Sequence, residues 1–94
     1  MTTRDIYINK MKLQLDALNL QMGQLEDRAK EARDEVRDTY RAEMTKLQDQ
    51  SKLALVKLEE LQASGESNWD AMVAEMEKVR DAFTHSFRYF KSQV

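Results

Sequence analysis

The chain contains no cysteine and no proline, and only two of its 94 residues are glycine. Without cysteine there is no disulfide framework and no thiolate metal site. Proline interrupts helices and populates loops, so its absence leaves few places for the chain to turn. A single histidine, His85, leaves no second imidazole or thiolate to build a metal centre with it. Basic excess is also missing: the formal net charge is −2 and the pI about 5.4. Proteins that grip duplex nucleic acid carry surplus cations to neutralise phosphates, which argues against that class of partner. No stretch approaches the roughly 18 apolar residues of a membrane span, and the segment 1–12 lacks the apolar block of a secretory signal. A cytoplasmic address is the expectation.

What the chain does have is charge and hydrophobicity mixed at helical spacing: 41% hydrophobic and 34% charged residues. That combination is the mark of long amphipathic helices, and a single all-α domain over 1–94 is expected. Thr2, followed three residues later by Asp5, reads as an N-cap with a capping box, and Met1 and Ile6 are spaced for a hydrophobic staple. From there an apolar seam runs through Ile8, Met11, Leu15, Leu18, Met22, Leu25, Ala29, Ala32 and Val36. Its steps alternate three and four, which is heptad spacing. It continues through Tyr40, Met44, Leu47, Ser51, Ala54, Leu58 and Leu61.

The strong punctuation lies at Ser64-Gly65-Glu66-Ser67-Asn68. Gly65 is suited to the left-handed conformation that closes a helix, and Ser67 or Asn68 to capping the next one, with Asp70 completing a short capping-box variant after Ser67. Gly23 falls on the polar side of a helical run, a tolerated defect of about 1 kcal/mol. The expected architecture is therefore a coiled-coil helical hairpin. Helix 1 spans about 3–63, a turn occupies 64–67, and a shorter antiparallel helix spans about 68–92. Its seam joins Tyr40, Leu47, Ala54, Leu58 and Leu61 to Trp69, Met72, Met76, Val79, Phe83, Phe87 and Phe90. Two eleven-residue steps, Val36–Leu47 and Phe83–Val94, interrupt the heptads. Folding at residue 65 sets them side by side, with Phe83 near Leu47, Phe90 near Tyr40, and Ser51 and Ala54 facing Val79 and Met76.

At 1.5 Å per residue the first helix would reach about 90 Å and the second about 38 Å. The seam before Val36 then has no partner in its own chain, and exposed apolar surface of that extent drives association. A homo-oligomer follows, with an antiparallel dimer favoured. Its interface is expected to use Ile6, Met11, Leu13, Leu15, Leu18, Leu20, Met22, Leu25, Ala29, Ala32 and Val36. Within that set Ile6, Leu13 and Leu20 recur every seven residues on the face opposite the main seam, and the series stops at Asp27. Ala29 and Ala32 would form a narrow waist between two helices.

No constellation of residues carries catalysis. His85, between Thr84 and Ser86, reads as a surface residue, since a Ser/His/Asp assembly needs a rigid pocket and an oxyanion hole. The acids Glu26, Asp27, Glu31, Asp34, Glu35, Asp38 and Glu43 alternate with Arg28, Lys30, Arg33, Arg37 and Arg41. This is the pattern of a solvated helix face with weak i,i+3 and i,i+4 pairs. The Glu-x-x-His motif of di-metal bundles is missing, and so is any phosphate-binding glycine loop. No cofactor is expected. The end of the last helix offers one further possibility. Phe83, Phe87, Tyr89 and Phe90 accompany Arg80, Arg88 and Lys91, a composition that interfacial membrane helices share. Core packing is the competing explanation for the three phenylalanines.

The opening Asp5-Ile6-Tyr7-Ile8-Asn9-Lys10-Met11-Lys12-Leu13-Gln14-Leu15-Asp16, the charged middle, and Ser67-Asn68-Trp69-Asp70 together resemble a group of short bacterial coiled-coil proteins. Those are about 90 residues long and mostly without assigned function, some of them labelled stress-response proteins. The resemblance spans nearly the whole chain. It implies a helical, non-enzymatic protein and brings no catalytic residues with it.

Overall fold

A computed structural model describes residues 2–31 and 34–93, and among them the chain forms three α-helices. They are α1 (Thr3–Lys30), α2 (Asp34–Ala63) and α3 (Trp69–Gln93), with a 3-10 turn over Glu66–Asn68 leading into α3. No strand occurs among the described residues.

The start of α1 follows its sequence. Thr2 is extended, its hydroxyl accepts from the Asp5 amide at 3.1 Å, and the Asp5 carboxylate accepts from the Thr2 amide at 3.4 Å. Two amides that a helix start leaves open are thereby satisfied reciprocally. Met1 of the expected staple lies outside the described residues, and Ile6 is 43% exposed.

The single helix expected over 3–63 is corrected. Helix α1 ends at Lys30, where the Glu31 amide turns to the Arg28 carbonyl at 3.1 Å, and α2 begins at Asp34. Helix α1 then lies along both other helices. It is antiparallel to α2, with Arg4 beside Leu61 and Asn19 beside Ser51. It is parallel to α3, with Tyr7 beside Trp69 and Gln14 beside Arg80. The reason is energetic. Breaking one helical turn forfeits three or four backbone bonds, about 1 kcal/mol each in net terms. Folding back buries Ile8, Met11, Leu15, Leu25 and Ala29. At about 1.5–3 kcal/mol for each large side chain removed from water, the burial wins. The helix lengths suit the arrangement: 28, 30 and 25 residues give rods of about 42, 45 and 38 Å, within a body of 51 × 20 × 17 Å.

Helix α3 runs back along α2. Tyr40 meets Phe90 edge-on, with ring centroids 5.5 Å apart and planes at 86°, and the Tyr40 hydroxyl donates to the Gln93 carbonyl at 2.7 Å. Further along, Lys57 reaches Glu75 at 3.3 Å. Leu47, Leu61, Met76, Phe83 and Phe90 have no exposed surface and form the centre of the core with Met11. The remaining seam residues divide: Ala54, Leu58 and Phe87 are buried, while Tyr40, Trp69, Met72 and Val79 are partly buried against that core. Ser51, expected opposite Val79, instead donates from its hydroxyl to the Asn19 side chain of α1. Val36 is 40% exposed, and Val94 lies outside the described residues.

The connection between α2 and α3 also differs from the expectation. Gly65 is extended, at φ −81° and ψ 169°, and no described residue has a positive φ. Ser64 ends α2 instead: its amide and its hydroxyl both donate to the Leu61 carbonyl, at 3.3 and 2.8 Å. Gly65 then caps the 3-10 turn, whose Asn68 amide bonds the Gly65 carbonyl at 3.3 Å.

Phe83 is packed on all sides and His85, two residues on, faces solvent. Phe83→Ala should destabilise the fold by about 3–5 kcal/mol in urea unfolding. His85→Ala should leave the unfolding free energy within about 0.5 kcal/mol of the native chain.

Candidate interaction surface

Among the described residues no group of three or more His, Cys, Asp or Glu side chains converges as a metal site would require. The alternating charges from Glu26 to Glu43 lie mostly on exposed surface, and Arg37 pairs with Asp34 at 3.1 Å. No helix among the described residues is long and apolar enough to cross a membrane.

The eleven residues expected to form an oligomer interface separate into two populations. Met11, Leu15, Leu25 and Ala29 are buried within their own chain, and Leu18 and Met22 pack partly against the same core. Their assignment to an intermolecular seam is corrected: folding α1 back supplies the partner that an extended helix lacked. Ile6, Leu13 and Leu20 behave oppositely. They are 43%, 69% and 69% exposed and follow one another at seven-residue intervals. Since 3.6 residues complete a turn, the three share one face, roughly opposite Met11 and Leu18. Val36, at the start of α2, is also exposed, and Ala32 lies outside the described residues. The structure thus retains one apolar line on the outside of α1. On α2, Leu53, Leu55 and Val56 are exposed as well, at 47%, 54% and 47%.

A cluster that the sequence reading missed joins all three helices at one end of the bundle. Nη2 of Arg4 stands 3.1 Å from the Leu61 carbonyl, 2.9 Å from that of Gln62, and within hydrogen-bond reach of that of Ser64. These are the last carbonyls of α2 and the first of the turn, where the amides of a continuing helix are missing and the helix end carries partial negative charge. The same guanidinium lies 5.1 Å from the centre of the Trp69 ring, close enough for a cation–π contact. Tyr7 meets Trp69 edge-on at 5.7 Å and 80°, and its hydroxyl donates to Glu77 Oε1 at 3.3 Å. Burial, reinforced by the Glu77 carboxylate, raises the Tyr7 phenol above its ordinary pKa of 10.0. The available signal was the spacing of Arg4 and Tyr7, which sit one turn apart beside the seam. With α1 expected to project away from the turn, nothing connected them to Trp69.

At the other end, a cleft of about 540 Å3 opens between the last turns of α1 and the first turns of α2. Ala29, Tyr40 and Met44 form its apolar part, while Glu26, Lys30, Arg37 and Arg41 are its charged residues. Acid and base are both present, with no imidazole, thiol or glycine loop among the lining residues, so no reaction is assigned to it.

Two outcomes are expected at the Arg4 end. Arg4→Met keeps the stem over Trp69 but removes the donors, and it should lower stability by about 1–2 kcal/mol in chemical denaturation. Tyr7→Phe tests the phenol. Because the folded-state pKa is raised, its stabilising contribution is complete below pH 10 and is lost as pH climbs through the folded value. The stability difference between the native chain and Tyr7→Phe should therefore shrink from pH 9 to pH 11.

Comparison with family models, curated proteins and solved structures finds no match to this chain.

Proposed function

We propose that the chain is a non-enzymatic structural protein that associates with itself through the outer face of α1. The observation that carries this reading is the exposure of Ile6, Leu13 and Leu20 on a helix whose inner seam is already satisfied. Isolated exposed apolar residues are ordinary on protein surfaces. Three in a line at heptad spacing amount to a helix-packing face. The stripe is the part of the expected interface that remains exposed once Met11, Leu15, Leu25 and Ala29 are buried in the chain's own core, and it makes self-association compatible with a chain that closes that core. A bundle 51 Å long with interaction surface along one side is suited to serving as a rigid helical building unit.

The lipid-binding alternative draws less support. It needs the aromatic face of α3, but Phe83, Phe87 and Phe90 are 0%, 4% and 0% exposed, which leaves Tyr89 as the one outward aromatic of that group. Opening the bundle to release them would forfeit the centre of the core.

Sedimentation equilibrium at micromolar to hundred-micromolar concentrations should show a mass above the 11.0 kDa of one chain. The double variant Leu13→Glu, Leu20→Glu should return the mass to one chain while keeping the helical circular dichroism, because neither side chain contributes to the chain's own core. Only monomer for the native chain across that range would end the proposal.

A further inference from the structure

We propose that the groove between α1 and α3 is a docking site for an acidic helical segment of another protein. It lies on the side of α1 turned towards α3, and the proposal does not rest on self-association through the outer stripe. Two adjoining hollows, of about 500 and 220 Å3, share Gln21 and run from Gln14 and Arg80 to Arg28 and Lys91. Along α1 that is about 21 Å, the rise over 14 residues, which a helix of four turns laid alongside would fill.

The two halves of this helix pair differ. At the start, polar bonds tie α1 to α3: Tyr7 to Glu77 at 3.3 Å and Gln14 to Arg80 at 3.2 Å. Past Arg80 no hydrogen bond or ion pair joins the two helices among the described residues. Gln21, Gln24 and Arg28 line that stretch from α1, and Thr84, Arg88 and Lys91 line it from α3. All of these but Thr84 are exposed. Arg28, Arg88 and Lys91 have no ion-pair partner among the described residues. The one carboxylate in the lining is Asp81, and Arg80 already holds it at 2.9 Å. A cationic groove thus stands in a chain whose net charge is −2. Arg28 and Lys91 also occupy the last turns of their helices, where cations are favoured, but Arg88 and the two glutamines do not.

Charge complementarity selects the occupant. Cations gathered with no free acid between them repel one another, and a partner that supplies carboxylates relieves the repulsion. Arginine forks and glutamine amides donate well to carboxylates. Acids on successive turns of a helix meet cations spread over the groove, as a small anion does not. Single-stranded nucleic acid needs exposed rings on which to stack its bases, and the one ring in the lining, Phe87, is buried. A lipid surface needs exposed apolar anchors, and Leu18, Leu25 and Phe87 are half-buried or buried.

The probe is a fluorescent helical peptide of glutamate, alanine and leucine, about 15 residues long to match the groove. It is titrated with the full chain in dilute salt and followed by anisotropy, beside the same peptide with glutamine for glutamate and an oligothymidylate of equal charge. Expected is saturable binding of the glutamate peptide that weakens as salt rises, with both comparisons bound about tenfold more weakly or not at all. Arg88→Glu with Lys91→Glu should weaken binding about tenfold. Gln21→Glu with Gln24→Glu should do the same while leaving every cation in place, and it decides the matter if the first pair disturbs folding. Lys46→Glu with Lys52→Glu, on exposed α2 surface, makes the same change in net charge as the first pair and should cost less than about twofold. Circular dichroism and urea unfolding check that each variant keeps the fold. No binding of the glutamate peptide at hundreds of micromolar, no loss in the folded groove variants, equal loss in the α2 variant, or oligothymidylate bound as tightly as the peptide would each overturn the proposal.

Discussion

A guanidinium on the carbonyl end of a helix fixes how this protein is assembled. Helix α2 finishes with carbonyls left without the i+4 amide of a continuing helix, and Arg4 from the first turn of α1 donates to them, sharing that of Leu61 with Ser64, while lying over Trp69. That contact sets the axial position of α1 against both other helices. One residue of slip would move the seam by 100° around the helix and turn Met11 and Leu15 away from the core. Apolar packing alone tolerates sliding better than a donor aimed at three carbonyls does. The Arg4 cluster therefore defines the register in which the nonspecific burial of α1 takes place.

The core follows from that register. Residues two helices share in the middle of the bundle are large and fully enclosed, as at Phe83 and Leu47, whereas Ala29 and Ala54 occupy buried positions on α1 and α2. Small residues at those positions let the helix backbones approach while the large side chains fill the centre. Polar bonds are arranged around the edge of this core. Ser51 with Asn19, Arg80 with Gln14, and Tyr7 with Glu77 each cross between two helices where a purely apolar contact would have been exposed to water.

Much of this was legible residue by residue. The Thr2–Asp5 cap, the heptad seams, the turn near Gly65 and the contact of Tyr40 with Phe90 all follow from local chemistry or from spacing. The break between Lys30 and Asp34 did not stand out, since it contains neither proline nor glycine and the seam runs through it unbroken. Tertiary burial decided that point, as it does wherever propensity is nearly neutral. A faint signal was present. Arg28 and Lys30 are cations suited to a helix C-terminus, and Asp34 and Glu35 are acids suited to an N-terminus. Read as end charges they mark two helix ends; read as a run of i,i+4 pairs they vanish into one long helix. The outer stripe of Ile6, Leu13 and Leu20 was equally visible, but only the folded chain separates it from the inner seam.

Trp69 is the only tryptophan, and it lies where the start of α1, the end of α2 and the start of α3 converge, beneath Arg4 and against Tyr7. Its indole emission is therefore a local optical probe of one event, the docking of α1 onto the other two helices. Far-ultraviolet dichroism instead averages over every helical residue in the chain. A folding intermediate in which α1 is already helical but not yet docked on α2 and α3 would be nearly silent to the second signal and conspicuous in the first.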